Sequence, residues 1–124
     1  MTDTRRAILI LEDEMIVAMD LQMQLEDAGW RVISPAGTVT EADHVLDGES
    51  PVFALLDVNV GDETSFALAK RLSNAGTKVI FLTGKTRGML PKGLNAMRVL
   101  QKPLQRDELL KVIGCGSGAS VAAP

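Results

Sequence analysis

Short, unbroken apolar runs alternate along this chain with stretches in which apolar residues recur every three to four positions. Ala7-Ile8-Leu9-Ile10-Leu11 has no polar face, as expected of a strand covered on both sides. Val17, Leu21, Leu25 and Ala28 then recur at helical spacing up to Gly29, a helix stop. Trp30 to Ile33 reads as a second strand, closed by Ser34-Pro35-Ala36-Gly37. Thr38-Val39-Thr40-Glu41 has the form of a capping box, with Val39, Ala42 and Leu46 on one helix face before Gly48. Val52 to Leu56 is a third apolar run and ends on Asp57. Leu68, Leu72 and Ala75 form the next helical stripe, stopped by Gly76. Val79 to Leu82 is a fourth strand and Arg98 to Leu100 a weaker fifth, and Leu109 and Ile113 mark a last helix after Pro103.

This is a strand–helix unit repeated five times, with one unit poorly made. Between Thr86 and Asn95 stand Gly88, Pro91 and Gly93. Gly costs about 1 kcal/mol and Pro about 3 kcal/mol inside a helix, so the fourth helix is expected to be short, displaced or mobile. Residues 114–124 are small and aperiodic and are expected to form a flexible C-terminal tail. Regular alternation with short connections implies a parallel sheet with helices on both faces. The expected organisation is one domain over 1–113, the tail, and no output domain.

Composition narrows the function classes. An apolar share of 46% and a charged share of 23% are ordinary for a globular domain. Thirteen Lys and Arg against 16 Asp and Glu give a net charge of −3, which leaves no basic footprint for nucleic acid or acidic lipid. The single cysteine, Cys115, excludes an internal disulfide and a multi-cysteine zinc site. The apolar run behind Arg5-Arg6 stops at Glu12-Asp13, too soon for a signal peptide, and no stretch is long enough to span a bilayer. The expectation is a cytoplasmic protein with no membrane and no nucleic-acid partner. His44 reads as an exposed helical residue. Met15, Met19 and Met23 read as fillers of core and surface gaps rather than as a binding face.

In open α/β sheets, ligands bind beyond the carboxyl ends of the strands. Here strand one ends on Glu12 and Asp13, strand three on Asp57 and strand four on Thr83, and strand five runs into Lys102. Taken singly, each has a bland explanation: a solvated turn, a capping aspartate, a surface lysine. Together they put three carboxylates, a hydroxyl and an amine on one sheet edge. Two carboxylates about 4 Å apart repel by roughly 4 kcal/mol at an effective dielectric of 20. A hard divalent ion such as Mg²⁺ relieves that repulsion and keeps coordination places for water and phosphate oxygens. A carboxylate there can attack phosphorus to give an aspartyl phosphate, with the lysine and hydroxyl holding the phosphoryl oxygens.

On these residues the chain, from Arg6 to about Ile113, resembles the receiver domain of bacterial two-component response regulators. The resemblance implies a flavodoxin-like (βα)5 fold, a doubly wound parallel five-stranded sheet of strand order 2-1-3-4-5. It implies that Asp57 is the phosphoacceptor and that Thr83 and Lys102 bind the phosphoryl group. It implies metal binding by Glu12, Asp13, Asp57 and the backbone carbonyl of Asn59, with Mg²⁺ as the cofactor and Mn²⁺ as a substitute; Asp13 touches the ion directly and Glu12 through water. The segments Glu12-Asp13-Glu14, Leu56 to Phe66, Phe81-Leu82-Thr83-Gly84 and Val99 to Pro103 further resemble an alphaproteobacterial single-domain subgroup named for a Phe-Ala-Thr-Gly-aromatic motif. Leu82 replaces its alanine, and Lys85-Thr86 stand at its aromatic. Val99 occupies a position that carries Tyr or Phe in ordinary receivers.

The implied function is a stand-alone response regulator. It would accept a phosphoryl group on Asp57 from a sensor histidine kinase or phosphotransfer protein. It would then act on an unknown downstream protein by contact or onward transfer, or serve as a phosphate sink, and would not be an enzyme in its own right. Two rivals remain open at this point: a phosphohydrolase with an aspartyl nucleophile, and a pseudo-receiver that binds partners without phosphorylation. The hydrolase chemistry needs a second acid two residues after the nucleophile, where this chain has Asn59.

Overall fold

A computed structural model of the chain describes residues 6–33, 35–84, 98–102 and 104–114. The expected weak fourth helix, most of the expected tail with Cys115, and Pro103 lie outside these residues. The elements are β1 (Ala7–Leu11), α1 (Met15–Asp27), β2 (Arg31–Val32), α2 (Val39–Val45), β3 (Phe53–Asp57), β4 (Asn59–Val60), β5 (Glu63–Thr64), α3 (Phe66–Asn74), β6 (Lys78–Thr83), β7 (Arg98–Gln101) and α4 (Arg106–Ile113).

Five strands form a parallel sheet in the order β2-β1-β3-β6-β7, and β4 and β5 pair apart from it as a short antiparallel hairpin. Counting only the sheet strands, this is the expected order 2-1-3-4-5 of a flavodoxin-like, doubly wound fold. Apart from their end residues, β1, β3 and β6 are apolar because both faces are covered, and their alternate residues feed two cores. Leu9, Leu11, Ala54, Leu56, Val79 and Phe81 meet Ala42 of α2 and Leu68, Ala69 and Leu72 of α3. Ile8, Ile10, Phe53, Leu55, Ile80 and Leu82 meet Leu21 and Leu25 of α1 and Leu109 and Ile113 of α4. A one-residue slip of any strand would exchange the two sets, so the register is strongly specified.

Helix ends follow local chemistry. The Thr38 hydroxyl accepts the Glu41 N–H at 3.1 Å, and the Glu41 carboxylate accepts the Gly37 N–H at 2.8 Å. The anticipated box therefore closes one residue earlier than its usual reciprocal form. Gly29 takes φ 94° just past α1, a conformation that glycine adopts freely. Two expectations are corrected. The second strand is only two residues long, with Trp30 buried ahead of it and Ile33 beyond it. Ala75 is exposed, so the buried stripe of α3 is Leu68, Ala69 and Leu72.

At the amino ends of the strands, the Trp30 indole packs edge-on to Phe53 with ring centres 5.6 Å apart. Its N–H donates to the Gly114 carbonyl at 2.8 Å, tying the end of α4 to the start of β2. The opposite edge of the sheet is left to the polar residues. Among the described residues no helix is long and apolar enough to cross a membrane.

Candidate functional site

The pairing of β1, β3, β6 and β7 sets which side chains meet at the carboxyl edge. Leu11 pairs with Leu56, Asp57 with Leu82, and Thr83 with Gln101. Glu12 and Asp13 therefore leave β1 beside Asp57, the last residue of β3. Thr83 stands one residue beyond Asp57's partner on β6. The Lys102 N–H donates to the Thr83 carbonyl at 2.7 Å, which brings the lysine to the same edge.

Lys102 joins two of the acids. Its ammonium donates to Glu12 Oε2 at 2.6 Å and lies 3.2 Å from Asp57 Oδ2. The Glu12 side chain is fully buried, and those of Asp57 and Lys102 are 13% and 19% exposed. Glu12 Oε1 also accepts the Glu14 N–H at 3.1 Å. A buried glutamate is tolerable only because it is paired and hydrogen-bonded in this way. Asp13 is exposed, and its Oδ2 accepts the Gly61 N–H at 3.1 Å. Asn59, two residues past Asp57, opens the hairpin opposite Thr64.

The electrostatics are uneven. Burial, and then the charge of Glu12, push the Asp57 carboxyl up to about 6, with Lys102 pulling the other way. Burial opposes the Lys102 ammonium, but its hydrogen bond to Glu12 and the charges of Asp57 and Glu12 outweigh that and hold its pKa above the usual lysine value. The same contact thus favours the lysine's charge without keeping Asp57 acidic. Burial explains why: it is the largest influence on Asp57, and the charge of Glu12 adds to it.

Glu12, Asp13 and Asp57 each place one carboxylate oxygen within 4.8 Å of the others. An all-oxygen donor set with one exposed member suits a small hard cation that keeps bound water. Both Glu12 oxygens already accept hydrogen bonds, which suits a water-mediated role better than a direct one. The residues therefore fit Mg²⁺, which Asp13 and Asp57 would hold with Glu12 in support. Such an ion would supply positive charge for phosphoryl oxygens.

Beside this edge lies a groove of about 550 Å³ lined by Glu14, Ile16, Val17, Asp20, Lys102 and Leu104. The α1 face next to it is apolar and uncovered among the described residues: Met15 is 73% exposed, Ile16 84%, Met19 56% and Met23 63%. Of the expectation that the methionines fill core and surface gaps, the core part is corrected: all three lie at the surface. Their i, i+4, i+8 spacing, offset from Leu21 and Leu25, was the available signal. Sequence reasoning also missed the β4–β5 hairpin, whose signal was Gly61-Asp62 between Val60 and Glu63. His44 is exposed on α2, as expected.

Comparison with known proteins agrees with this geometry. Residues 8–114 match the family model of the response regulator receiver domain. The chain is 28% identical over 116 residues to the transcriptional regulatory protein PdtaR of Mycobacterium tuberculosis, covering 87% of this chain and 55% of that protein. It is 37% identical over 84 residues to the phyllosphere-induced regulator PhyR of Methylorubrum extorquens, covering 65% of this chain and 32% of that one. The chain thus spans about half of PdtaR and a third of PhyR. The solution structure of SdrG from Sphingomonas melonis superposes with a TM-score of 0.77 at 30% identity, over 90% of this chain and 96% of that chain.

Proposed function

The chain belongs to the response regulator receiver domain family, and on that premise we propose that it is a cytoplasmic, stand-alone phosphoacceptor. In this reading Asp57 takes a phosphoryl group from a sensor histidine kinase or a phosphotransfer protein, with Mg²⁺ as the resident ion and Mn²⁺ as a substitute. Residues 1–113 form the receiver and 114–124 a tail, and the output passes through contact with another protein. The match to 96% of the SdrG chain favours a unit of this size.

The observation that carries the reading is the lysine bridge. One ammonium lies 2.6 Å from Glu12 and 3.2 Å from Asp57, on an edge that also holds Asp13. In the transfer, an Asp57 oxygen forms the new O–P bond as the bond from phosphorus to the donor imidazole nitrogen breaks, and the electron pair stays on that nitrogen. In this reading Lys102 follows the charge from the carboxylate onto the phosphoryl oxygens, and the Thr83 hydroxyl hydrogen-bonds one of them. The exposed α1 stripe offers ground for a protein donor to dock within reach of Asp57.

The test is incubation with Mg²⁺ and a small phosphodonor such as phosphoramidate, followed by intact mass. One phosphoryl adduct in wild type and none in Asp57→Asn is the expected result. Turnover of the donor without an adduct would indicate a phosphohydrolase, and neither adduct nor turnover a pseudo-receiver.

A further inference from the structure

We propose that Gly61 is a positioning residue for the acidic site: its backbone N–H holds the Asp13 carboxylate in the orientation that takes up a divalent cation. The inference rests on the phosphoacceptor reading and adds a residue to it.

Asp13 is exposed just past β1, so packing alone does not select its rotamer. The Gly61 N–H, 48 residues further along the chain, donates to its Oδ2 at 3.1 Å. Gly61 occupies the first position of the two-residue turn between β4 and β5, at φ +60°, where L side chains are strained. A Cβ there would meet nothing within 4 Å. The position therefore favours glycine for its backbone angle and not for space.

The donor is itself anchored. Val60 is 4% exposed within the α2–α3 side of the core. The Val58 N–H donates to the Leu82 carbonyl at 3.1 Å, and the Ser65 N–H donates to the Val58 carbonyl at 3.0 Å. One leg of the hairpin is thus tied to β6 and the other leg to the first, and the turn transmits that fixed position to an exposed carboxylate. A carboxylate has two oxygens, so a hydrogen bond to one leaves the other's lone pairs for the ion. Holding Asp13 in place lowers the side-chain entropy lost when the ion binds. Partners that orient metal-bound carboxylates typically change affinity by about 10- to 100-fold, and an exposed one belongs at the low end.

The experiment is calorimetric titration of the full chain with Mg²⁺. Gly61→Val, which cannot hold the positive φ, is expected to weaken binding about 10-fold. Gly61→Ala, a milder strain that guards against misfolding of the valine variant, is expected to weaken it less but measurably. In an Asp13→Ala background, with Mn²⁺ as the probe, Gly61→Val should have almost no further effect, because the acceptor is gone. Wild-type affinity in both Gly61→Val and Gly61→Ala would overturn the inference alone. So would a full-sized loss in the Asp13→Ala background. A wild type that binds no Mg²⁺ would overturn the phosphoacceptor reading and the inference together.

Discussion

Asp57 is the residue at which stability and reactivity oppose each other. Its carboxyl is raised from 3.8 to about 6, first by burial and then by Glu12. Between about pH 4 and 6 the folded protein holds a proton there that the unfolded chain has released. Stability therefore falls as pH rises through that window, and stays lower above it. A two-unit shift corresponds to about 3 kcal/mol at face value. Water reaches the group, and screening reduces the expected effect to about 1 kcal/mol. Asp57→Asn, neutral and nearly the same shape, should melt about 4 °C above wild type at pH 8 in chelator, and the gap should close near pH 4. Melting curves at the two pH values decide it. An asparagine variant less stable than wild type at pH 8 would mean that the Lys102 pair outweighs the crowding. Placement of these residues at one edge was legible in the sequence, since Glu12, Asp57 and Thr83 directly end apolar runs, and Asp13 and Lys102 follow one residue later. The sharing of Lys102 between Glu12 and Asp57 was not, because a side-chain contact across β7, β1 and β3 depends on tertiary distances that no local pattern encodes.

At the scale of elements, α1 shows how a helix can satisfy its periodicity and still leave a surface unexplained. Leu21 and Leu25 bury one face, and Met15, Met19 and Met23 run along another that nothing among the described residues covers. Flexible, polarisable methionine side chains suit a surface that must accommodate a partner. If a protein donor docks there, Met19→Glu should slow phosphorylation by that donor about tenfold, the cost of about 1.4 kcal/mol of lost contact. Phosphorylation by a small-molecule donor should be unchanged, and stability should stay within about 0.5 kcal/mol, since the site is exposed. Equal slowing with both donors would place the effect in the chemistry and not in docking. The strands and helices themselves were readable because both sheet faces are apolar and the helix stops are chemical. The β4–β5 hairpin was not read, because each of its strands is only two residues long and shows no alternation to detect.

At the scale of the whole molecule, the two poles of the sheet divide the work. One pole carries the acidic edge. The other is closed by Trp30, which packs on Phe53, holds the Gly114 carbonyl and lies under the Arg6 guanidinium 5.4 Å from its ring centre. The flavodoxin-like topology was legible as a class from the strand–helix alternation, and its strand order from the family resemblance. The assignment of α1 and α4 to one face and α2 and α3 to the other emerges only when the registers are known. This polarity makes a separable prediction. Binding of Mg²⁺ to the folded state alone should stabilise the entire chain by about 1.4 kcal/mol at ten times the dissociation constant, raising the melting midpoint by several degrees. Trp30, the single tryptophan, is completely buried at the far pole, so its emission should change on unfolding and stay nearly constant during a Mg²⁺ titration of the folded protein. Asp13→Ala should abolish most of the thermal shift and leave the emission of the folded state where it was. A melting midpoint indifferent to millimolar Mg²⁺ would rule out a preformed cation site. A strong change in Trp30 emission on adding Mg²⁺ would instead show that the two poles are coupled through the sheet, which the separate packing of Trp30 argues against.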